Sequence, residues 1–258
     1  MTVPVFHSPG TLVGHRGLGK GSVDGVPENT VESFLAAVEL GLDWLEIDVQ
    51  SSSDNQLLVV HDATLPDGTV LADVTAAEAA RRGALVLTDL LDALPTRVGV
   101  VFDVKSSLHD AHRSASATTA TALARTCARR LQDRPALALS FDPAALHQMR
   151  SELPTLALGL LTWHRFPVAH AVAAAAHLDV QVLALHAGSL WRNASSGRHA
   201  PLSVHRVVSH VHDAKRQLLV WCPSERRARV LANAGADALV VDDVLRHVRS
   251  ATRLHSRR

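Results

Sequence analysis

Eight short apolar runs alternate with helix-length segments along almost the whole chain, and this alternation limits the possible folds more than any other feature. The runs are rich in Val and Leu at both odd and even positions, which is typical of a parallel sheet covered by helices. Eight consecutive strand–helix units predict closure into a (β/α)8 barrel, a TIM barrel, rather than an open sheet. The predicted strands are Thr11–His15, Trp44–Val49, Val98–Val104, Ala136–Leu139, Leu156–Leu161, Gln181–Leu185, Gln217–Trp221 and Ala238–Val241.

A single domain is expected to account for the whole chain. Its 258 residues match the length of about 250 that such barrels use. No Pro-, Gly- or Ser-rich linker divides the sequence, and 47% apolar residues provide enough material for a buried core. We therefore expect one barrel domain over residues 1–258, with residues 1–10 and 250–258 as peripheral tails.

Local signals add detail to this outline. Asn29 or Thr30 can cap the first helix, because both residue types accept hydrogen bonds from the free N–H groups of a helix start. The run Gln56–Val60 looks like a strand extension or a hairpin on the second unit. The Ala- and Thr-rich stretch Ser114–Ala128 is predicted to form one helix.

Charge and hydropathy exclude several classes of function. The formal net charge is +1 and the basic residues are scattered, so no nucleic-acid partner is expected. The basic stretch Arg246–Arg258 is predicted to be a solvated tail, in preference to a device for approaching anionic lipid. The first residues lack the pattern of a signal peptide, and no apolar run approaches the ~20 residues of a membrane span. The sequence therefore predicts a cytoplasmic protein without stable membrane insertion.

The chain has two cysteines, Cys127 and Cys222, which are too few for a disulfide scaffold. Neither lies in a metal-ligand spacing such as CxxC. Both are predicted to be small buried apolar side chains.

Acidic residues alternate along two of the predicted strands. Glu46 and Asp48 are two residues apart, so the pleat directs both to one face, which in a barrel is the inside near the carboxyl end. Asp103 and Lys105 repeat the spacing at the end of the next predicted strand, Val98–Val104. Solvated acids and a structural ion pair are the alternatives, but the two acid-bearing strands together favour an oxygen-ligand site for Mg²⁺ or Ca²⁺. Lys105 then supplies a fixed positive charge for an anionic substrate.

Two of the sixteen histidines stand where an apolar strand ends. His15 ends the first predicted strand beside Arg16, whose planar guanidinium suits two phosphate oxygens. His61 follows a short apolar run, and Asp62 can orient its imidazole ring. A metal held by acids, a basic phosphate contact and two histidines are the components of phosphodiester cleavage by general acid and base catalysis.

The same residues resemble the glycerophosphodiester phosphodiesterase family. The resemblance begins with four specific motifs in order, HRG at 15–17, PENT at 27–30, LEIDV at 45–49 and VVHD at 59–62. It continues with the supporting stretches DVK at 103–105, SFDPAAL at 140–146, VWC at 220–222 and GADALVVDD at 235–243. The resemblance therefore covers nearly the whole chain and implies a (β/α)8 barrel enzyme.

The resemblance also implies roles for single residues. His15 and His61 would be the catalytic pair, and Glu46, Asp48 and Asp103 would hold a divalent cation. Phosphate and substrate contacts would come from the set Arg16, Lys105, Glu28, Asn29 and Trp221. The family cleaves glycerophosphodiesters to glycerol 3-phosphate and an alcohol, through attack of the glycerol 2-hydroxyl on phosphorus and hydrolysis of the resulting cyclic phosphate. We assign His61 as base and His15 as acid in the first step.

Several positions depart from the family pattern. Asp103 stands where the family generally has glutamate, and the segment after VVHD differs from the usual arginine–threonine sequence. Trp221 can pack against substrate, although a core position is the alternative, and His186 is a further candidate at the mouth. The rival functions are a lysophospholipase D or sphingomyelinase D-like enzyme, which an aromatic-rimmed mouth would support, and a catalytically silent ligand-binding barrel.

Overall fold

The computed structural model describes residues 3–131, 134–191 and 203–255, and the eight predicted strands form a closed parallel barrel within them. The prediction of a (β/α)8 barrel is confirmed. The strands, numbered here in chain order, are β1 (Thr11–His15), β2 (Trp44–Ser51), β3 (Gly99–Val104), β4 (Ala136–Ser140), β5 (Ala157–Leu161), β6 (Val182–His186), β7 (Gln217–Trp221) and β8 (Ala238–Val241). Each differs from its predicted range by two residues at most at either end.

Strand β1 closes the barrel, because it pairs with β8 on one side and with β2 on the other. All pairings between neighbouring barrel strands are parallel, so all eight carboxyl ends lie at one rim. The register sets His15 beside Glu46 across β1 and β2, and Asp48 beside Asp103 across β2 and β3. Closure therefore brings the acidic strands and the first histidine to the same part of the rim.

Helices follow the strands and cover the outside of the barrel. The predicted cap at Thr30 is confirmed, because its side chain accepts the backbone N–H of Ser33. The helices are α1 (Val31–Glu39), α2 (Ala76–Arg81), α3 (Leu87–Ala93), α4 (Thr119–Arg130), α5 (Pro143–Glu152), α6 (Val168–His177), α7 (Ala187–Leu190), α8 (Val204–Asp213), α9 (Glu225–Asn233) and α10 (Val244–His255). None of the helices in the described ranges is long and apolar enough to cross a lipid bilayer.

The prediction of a single helix over Ser114–Ala128 is wrong at the start of that range. A 3-10 turn covers Ala115–Ala117, and α4 begins only at Thr119. Thr118 between them is extended, and its hydroxyl accepts the backbone N–H of Thr121 at 3.3 Å. The threonine side chain thus competes for the first helical N–H groups and ends one element while it caps the next.

The predicted hairpin on the second unit is present. Leu57–Val59 pairs antiparallel with the end of β2, and Leu85–Val86 adds a further short antiparallel strand. This extension carries the chain past the rim of the barrel and returns it to His61, which follows the second strand of the hairpin.

The amino-terminal tail contributes to the barrel interior, which differs from the expectation of a peripheral segment. Phe6 is buried against Trp44, with ring centroids 4.9 Å apart, at the end where the strands begin. The side-chain amide of Gln217 bonds the backbone of this segment: its oxygen accepts N–H groups from Val5 and Phe6, and its nitrogen donates to the Phe6 carbonyl. At the other terminus α10 runs to His255, so the basic stretch is helical that far, and residues 256–258 lie outside the described residues.

Candidate active site

A cavity of about 620 Å³ opens at the rim formed by the carboxyl ends of the strands. One wall is charged, and the facing wall is apolar and aromatic. The charged wall includes His15, Arg16, Glu46, His61, Asp103 and Lys105, whereas the apolar wall includes Leu139, Phe141, Leu161, Trp163, Leu219 and Trp221. A larger cavity of about 710 Å³ lies at the opposite end around Trp44 and Arg134, away from the rim where barrel enzymes hold their reactive groups.

His15 is held between two acidic residues. Its Nδ1 lies 2.5 Å from Asp242 Oδ1, a hydrogen bond that joins the ends of β1 and β8. Its Nε2 lies 3.8 Å from Glu46 Oε2. Burial alone would lower the pKa of His15, but the negative charge of Glu46 and the bond to Asp242 outweigh burial and raise this pKa well above its usual value. The ring is therefore fixed in orientation and favoured in its protonated form.

The predicted metal ligands come together. One carboxylate oxygen from each of Glu46, Asp48 and Asp103 lies within 4.8 Å of the others, as the strand register requires. All three side chains are largely buried. Burial and the neighbouring charge of Asp48 raise the pKa of Glu46 to about 8. Like charges are thus forced together in a site where water alone does not screen them.

This cluster fits a divalent cation. Asp103 Oδ1 is buried and accepts no hydrogen bond from any residue that the structure describes, so one ligand atom is left unsatisfied. Buried carboxylate oxygens without partners are costly unless an ion satisfies them. Three carboxylates are ligands that Mg²⁺ and Ca²⁺ prefer. The side chain of Asp103, one methylene shorter than that of a glutamate, still reaches the cluster.

Two buried cations offset part of this negative charge. Arg16 donates from Nη1 to Glu28 Oε1 at 2.7 Å, and its Nε lies 3.0 Å from Asp48 Oδ2. Lys105 Nζ lies 2.9 Å from Asp48 Oδ1 and forms a short ion pair with Asp103. These contacts raise the pKa of Lys105, despite its burial, and lower the pKa of Asp48. Both cations border the cavity while their charges are paired with acids.

Glu28 and Asn29 lie near the site and contact its residues without bordering the cavity themselves. Glu28 bonds Arg16, and the Asn29 side-chain amide donates to Asp48 Oδ2 at 3.1 Å. Neither is among the residues that border the cavity. The structure thus places both close to the predicted site, in contact with residues of the charged wall.

His61 is the most accessible member of the charged wall. Its side chain is 40% exposed, and its Nδ1 lies 2.7 Å from Asp62 Oδ1, as the sequence predicted. The backbone carbonyl of His61 accepts a hydrogen bond from the Gln50 side chain at 2.8 Å, which ties the residue to β2. Because Nδ1 is bonded to Asp62, Nε2 is the ring nitrogen available to a ligand in the cavity that His61 borders.

Aromatic rings form most of the opposite wall. Phe141 and Trp163 stack with centroids 4.0 Å apart, and Trp163 is 63% exposed. Trp221 meets Phe141 and His186 edge to face, at 6.0 and 4.5 Å. Trp221 and His186, both predicted at the mouth, therefore line the cavity. Phe141, which lies within the SFDPAAL stretch, and Trp163 were not predicted there.

Asp242 and Cys222 were missed as members of the site. Asp242 directly follows β8, which is the same signal that marked His61, but its partner His15 lies 227 positions away in sequence. The prediction that Cys222 is a buried apolar side chain is wrong. It is half-buried, with Sγ 3.4 Å from Asp242 Oδ1 and 3.8 Å from His15 Nδ1. Cys127 is buried as predicted, and burial raises the pKa of its thiol to about 12.

The backbone at the rim adopts unusual conformations. Arg16, Asn29 and Cys222 are non-glycine residues with φ of 53°, 57° and 55°. Such left-handed conformations are uncommon and persist only where the surrounding structure enforces them. Gly19, at φ 146°, lets the chain approach Asp242 so closely that a Cβ atom would overlap the Asp242 carbonyl oxygen. Each of these positions aims or supports a residue of the cavity.

Comparison with known proteins identifies relatives of this chain. The sequence profile described as the "Glycerophosphoryl diester phosphodiesterase family" matches residues 15–246. A glycerophosphodiester phosphodiesterase of Caldanaerobacter subterraneus is 46% identical over 54 residues, 21% of this chain and 21% of the relative. A glycerophosphocholine phosphodiesterase of Candida albicans is 45% identical over 64 residues, 23% of this chain and 5% of the relative. The matched stretch thus spans about a fifth or less of these relatives' own length.

Solved structures share the fold over nearly the full chain. A glycerophosphoryl diester phosphodiesterase structure from Silicibacter pomeroyi has a TM-score of 0.76 and 21% identity, with 96% of each chain covered. A phosphodiesterase from Oleispira antarctica, solved with the product sn-glycerol-3-phosphate, has a TM-score of 0.74 and 22% identity, with 94% and 96% coverage. At these identities the likeness concerns the barrel itself.

Proposed function

Because the chain belongs to the glycerophosphoryl diester phosphodiesterase family, we propose that it hydrolyses glycerophosphodiesters to glycerol 3-phosphate and an alcohol. The observation that carries this proposal is the meeting of His15, the three-carboxylate cluster and His61 around one cavity. A general acid, a general base and a site for a divalent cation in one cavity are what phosphodiester cleavage needs. A silent ligand-binding barrel would not require all of them together.

Glu46, Asp48 and Asp103 are proposed to hold the cation, with Mg²⁺ or Ca²⁺ as the ions that suit their oxygens. When bound, such an ion supplies positive charge that stabilises phosphoryl oxygens and favours deprotonation of a hydroxyl. Arg16 and Lys105 border the same wall and would orient the phosphate. Asn29 and Glu28 would act through Asp48 and Arg16, which they contact.

The two histidines are proposed to exchange protons with the substrate. His15 is favoured in its protonated form by Glu46 and Asp242, so it is suited to give a proton to the leaving alcohol in the first step. His61 keeps Nδ1 on Asp62, which leaves Nε2 to take a proton from the attacking hydroxyl. In the second step, hydrolysis of the cyclic phosphate, the two roles would be reversed.

The direct test is release of glycerol 3-phosphate from glycerophosphocholine and glycerophosphoethanolamine. We expect turnover with Mg²⁺ or Ca²⁺ and its loss on addition of EDTA, because the acidic cluster would then lack its ion. Activity should return when the divalent ion is restored in excess. Full activity in EDTA after exhaustive metal removal would contradict the proposed role of the three carboxylates.

A lysophospholipase D-like activity is a second candidate, and the aromatic wall favours it. Phe141, Trp163 and Trp221 give the cavity an apolar side that a glycerol-sized alcohol does not require. The same assay with lysophosphatidylcholine distinguishes the candidates. A higher kcat/KM for the lysolipid than for glycerophosphocholine would make the lysolipid the preferred substrate class. The cytoplasmic location inferred from the sequence stays a prediction.

Asp242 is expected to set the pH range over which His15 works. Because it raises the pKa of His15, replacement by asparagine should lower that pKa. A group that must be protonated loses its function as pH rises through its pKa, so the alkaline limb of kcat/KM should move to lower pH in Asp242→Asn. The loss should be about tenfold in weakly alkaline buffer for each unit of pKa decrease.

The neighbouring Asp243 provides the control for this measurement. Its carboxylate accepts the backbone N–H of Arg246 at the start of α10 and does not touch His15. The pH profile of Asp243→Asn should therefore match that of the unmodified protein. A uniform loss of rate in Asp242→Asn, with the limb unmoved, would show that Asp242 has only a structural role.

A further inference from the structure

A second group of metal-ligating atoms lies on the other side of the His15 ring. It consists of His15 Nδ1, Cys222 Sγ and Asp242 Oδ1, which all lie within 4.8 Å of one another. The three separations are 2.5 Å for nitrogen to oxygen, 3.4 Å for sulfur to oxygen and 3.8 Å for sulfur to nitrogen. One nitrogen, one sulfur and one oxygen atom therefore face one point between the ends of β1, β7 and β8.

These separations are close to those of a tetrahedral zinc site. Bond lengths of about 2.0 Å to nitrogen and oxygen and about 2.3 Å to sulfur place tetrahedral ligand atoms about 3.3 to 3.5 Å apart. The two sulfur separations agree to within about 0.3 Å of this range. Only the His15–Asp242 pair must open, by about 0.8 Å, for an ion to enter.

The donor types separate this group from the acidic cluster. A thiolate, an imidazole and a carboxylate suit Zn²⁺ or Cd²⁺, whereas three carboxylates suit Mg²⁺ or Ca²⁺. Cys222 is held in its left-handed conformation by its backbone N–H, which donates to the Val240 carbonyl at 2.9 Å. All three residues border the cavity, so an ion can reach them from solvent.

We propose that His15, Cys222 and Asp242 form a binding site for thiophilic divalent cations of the Zn²⁺ and Cd²⁺ class. The ion would take the three side chains as ligands and leave its fourth position to water. On binding, the Cys222 thiol loses its proton. The proton between His15 Nδ1 and Asp242 Oδ1 is also lost, because these two atoms bind the ion instead. Both protons pass to solvent.

Occupation of this site would remove His15 from catalysis. A ring bound to a metal through Nδ1 keeps its remaining proton on Nε2 and neither gives nor takes a proton readily near neutral pH. Zinc would therefore inhibit the enzyme even when Mg²⁺ saturates the acidic cluster. This inhibition rests on the proposed phosphodiesterase activity, whereas binding of the ion does not.

Binding is tested by titration with Cd²⁺ in the presence of excess Mg²⁺, because a cadmium–thiolate bond absorbs in the near ultraviolet. One equivalent of Cd²⁺ should produce this absorbance and protect one thiol from alkylation. Cys127→Ser is the matched control and should keep the signal, because Cys127 is buried and borders the cavity at the opposite end of the barrel. Cys222→Ser should lose the signal, and His15→Gln should weaken Cd²⁺ binding at least about tenfold.

Inhibition is tested separately, by zinc titration of the Mg²⁺-supported rate. Cys222→Ser, compared with its own zinc-free rate, should need at least about tenfold more zinc for half-inhibition. Absence of the cadmium–thiolate absorbance, or its persistence in Cys222→Ser, would overturn the site. Zinc inhibition that is unchanged in Cys222→Ser would mean that the inhibitory ion binds elsewhere, and would overturn the proposed removal of His15 from catalysis. The absorbance without any phosphodiesterase activity would refute the proposed function and leave the site standing.

Discussion

Replacement of His61 by alanine is expected to lower kcat/KM for glycerophosphocholine by about 10²- to 10⁴-fold while leaving the fold intact. The loss follows from removal of the group proposed to take a proton from the attacking hydroxyl. The fold should survive because the side chain is 40% exposed and its hydrogen bond is to Asp62, at the surface. Steady-state kinetics and thermal unfolding of the purified variant measure both effects.

His212 provides a matched control for this substitution. It is similarly exposed, at 42%, and its ring is likewise bonded to an aspartate, with Nε2 2.8 Å from Asp237 Oδ2. His212 is not among the residues that border the active-site cavity. His212→Ala should therefore retain the full rate. Equal losses in the two variants would mean that the effect of His61→Ala is not chemical.

Glu46→Gln and Asp48→Asn should both remove metal-dependent activity but should change stability in opposite directions. Each substitution takes one charged oxygen ligand from the acidic cluster, so the rate with Mg²⁺ should fall by at least about 10³-fold. Their electrostatic surroundings differ. Burial and Asp48 oppose the ionisation of Glu46, whereas Asp48 is the shared partner of Arg16 and Lys105.

The metal-free Glu46→Gln variant should be at least as stable as the unmodified protein at neutral pH. The pKa of Glu46 is about 8 in the folded chain, against an ordinary value of 4.5, so the folded state holds this proton more tightly than the unfolded state. Stability of the metal-free protein should therefore decline as pH rises between these two values. The decline should be smaller in Glu46→Gln, because glutamine has no charge to acquire.

Asp48→Asn should instead destabilise the metal-free protein by about 3 kcal/mol, because it leaves buried cationic charge without a full partner. Urea unfolding in EDTA at several pH values measures both variants under the same conditions. Stabilisation by Asp48→Asn, or strong destabilisation by Glu46→Gln, would contradict the charge distribution described for the cluster.

The barrel and its charged wall follow from local patterns in the sequence. Alternation of apolar strands with helices predicts the fold, and residues at strand ends predict the rim. The two-residue spacing of Glu46 and Asp48 places both inside, and the parallel register then sets Asp103 beside Asp48. These features need only neighbouring strands, so a single sequence is enough to predict them.

Other parts of the site depend on contacts that no local pattern indicates. The His15–Asp242 bond exists because β1 and β8 meet when the barrel closes. The stacking of Trp163 on Phe141 joins loops after β4 and β5, and Cys222 owes its position to a left-handed turn after β7. Side-chain competition at Thr118 likewise decides where α4 begins. Each depends on tertiary packing or on the preference of one residue, which hydrophobic periodicity does not report.

The left-handed residues at the rim bear on how this barrel can be made more heat-resistant. A non-glycine residue in that conformation costs on the order of 1 kcal/mol. Arg16, Asn29 and Cys222 adopt it beside the cavity, and the cost is smallest at Asn29 because asparagine tolerates this conformation best. Glycine at any of them would relieve the backbone and at the same time remove a side chain that contacts His15 or the acidic cluster. Substitutions that raise thermal tolerance are therefore expected at the amino-terminal end, where Phe6 fills the barrel, and in the outer helices. The rim keeps its strained turns because the site needs the side chains that these turns carry.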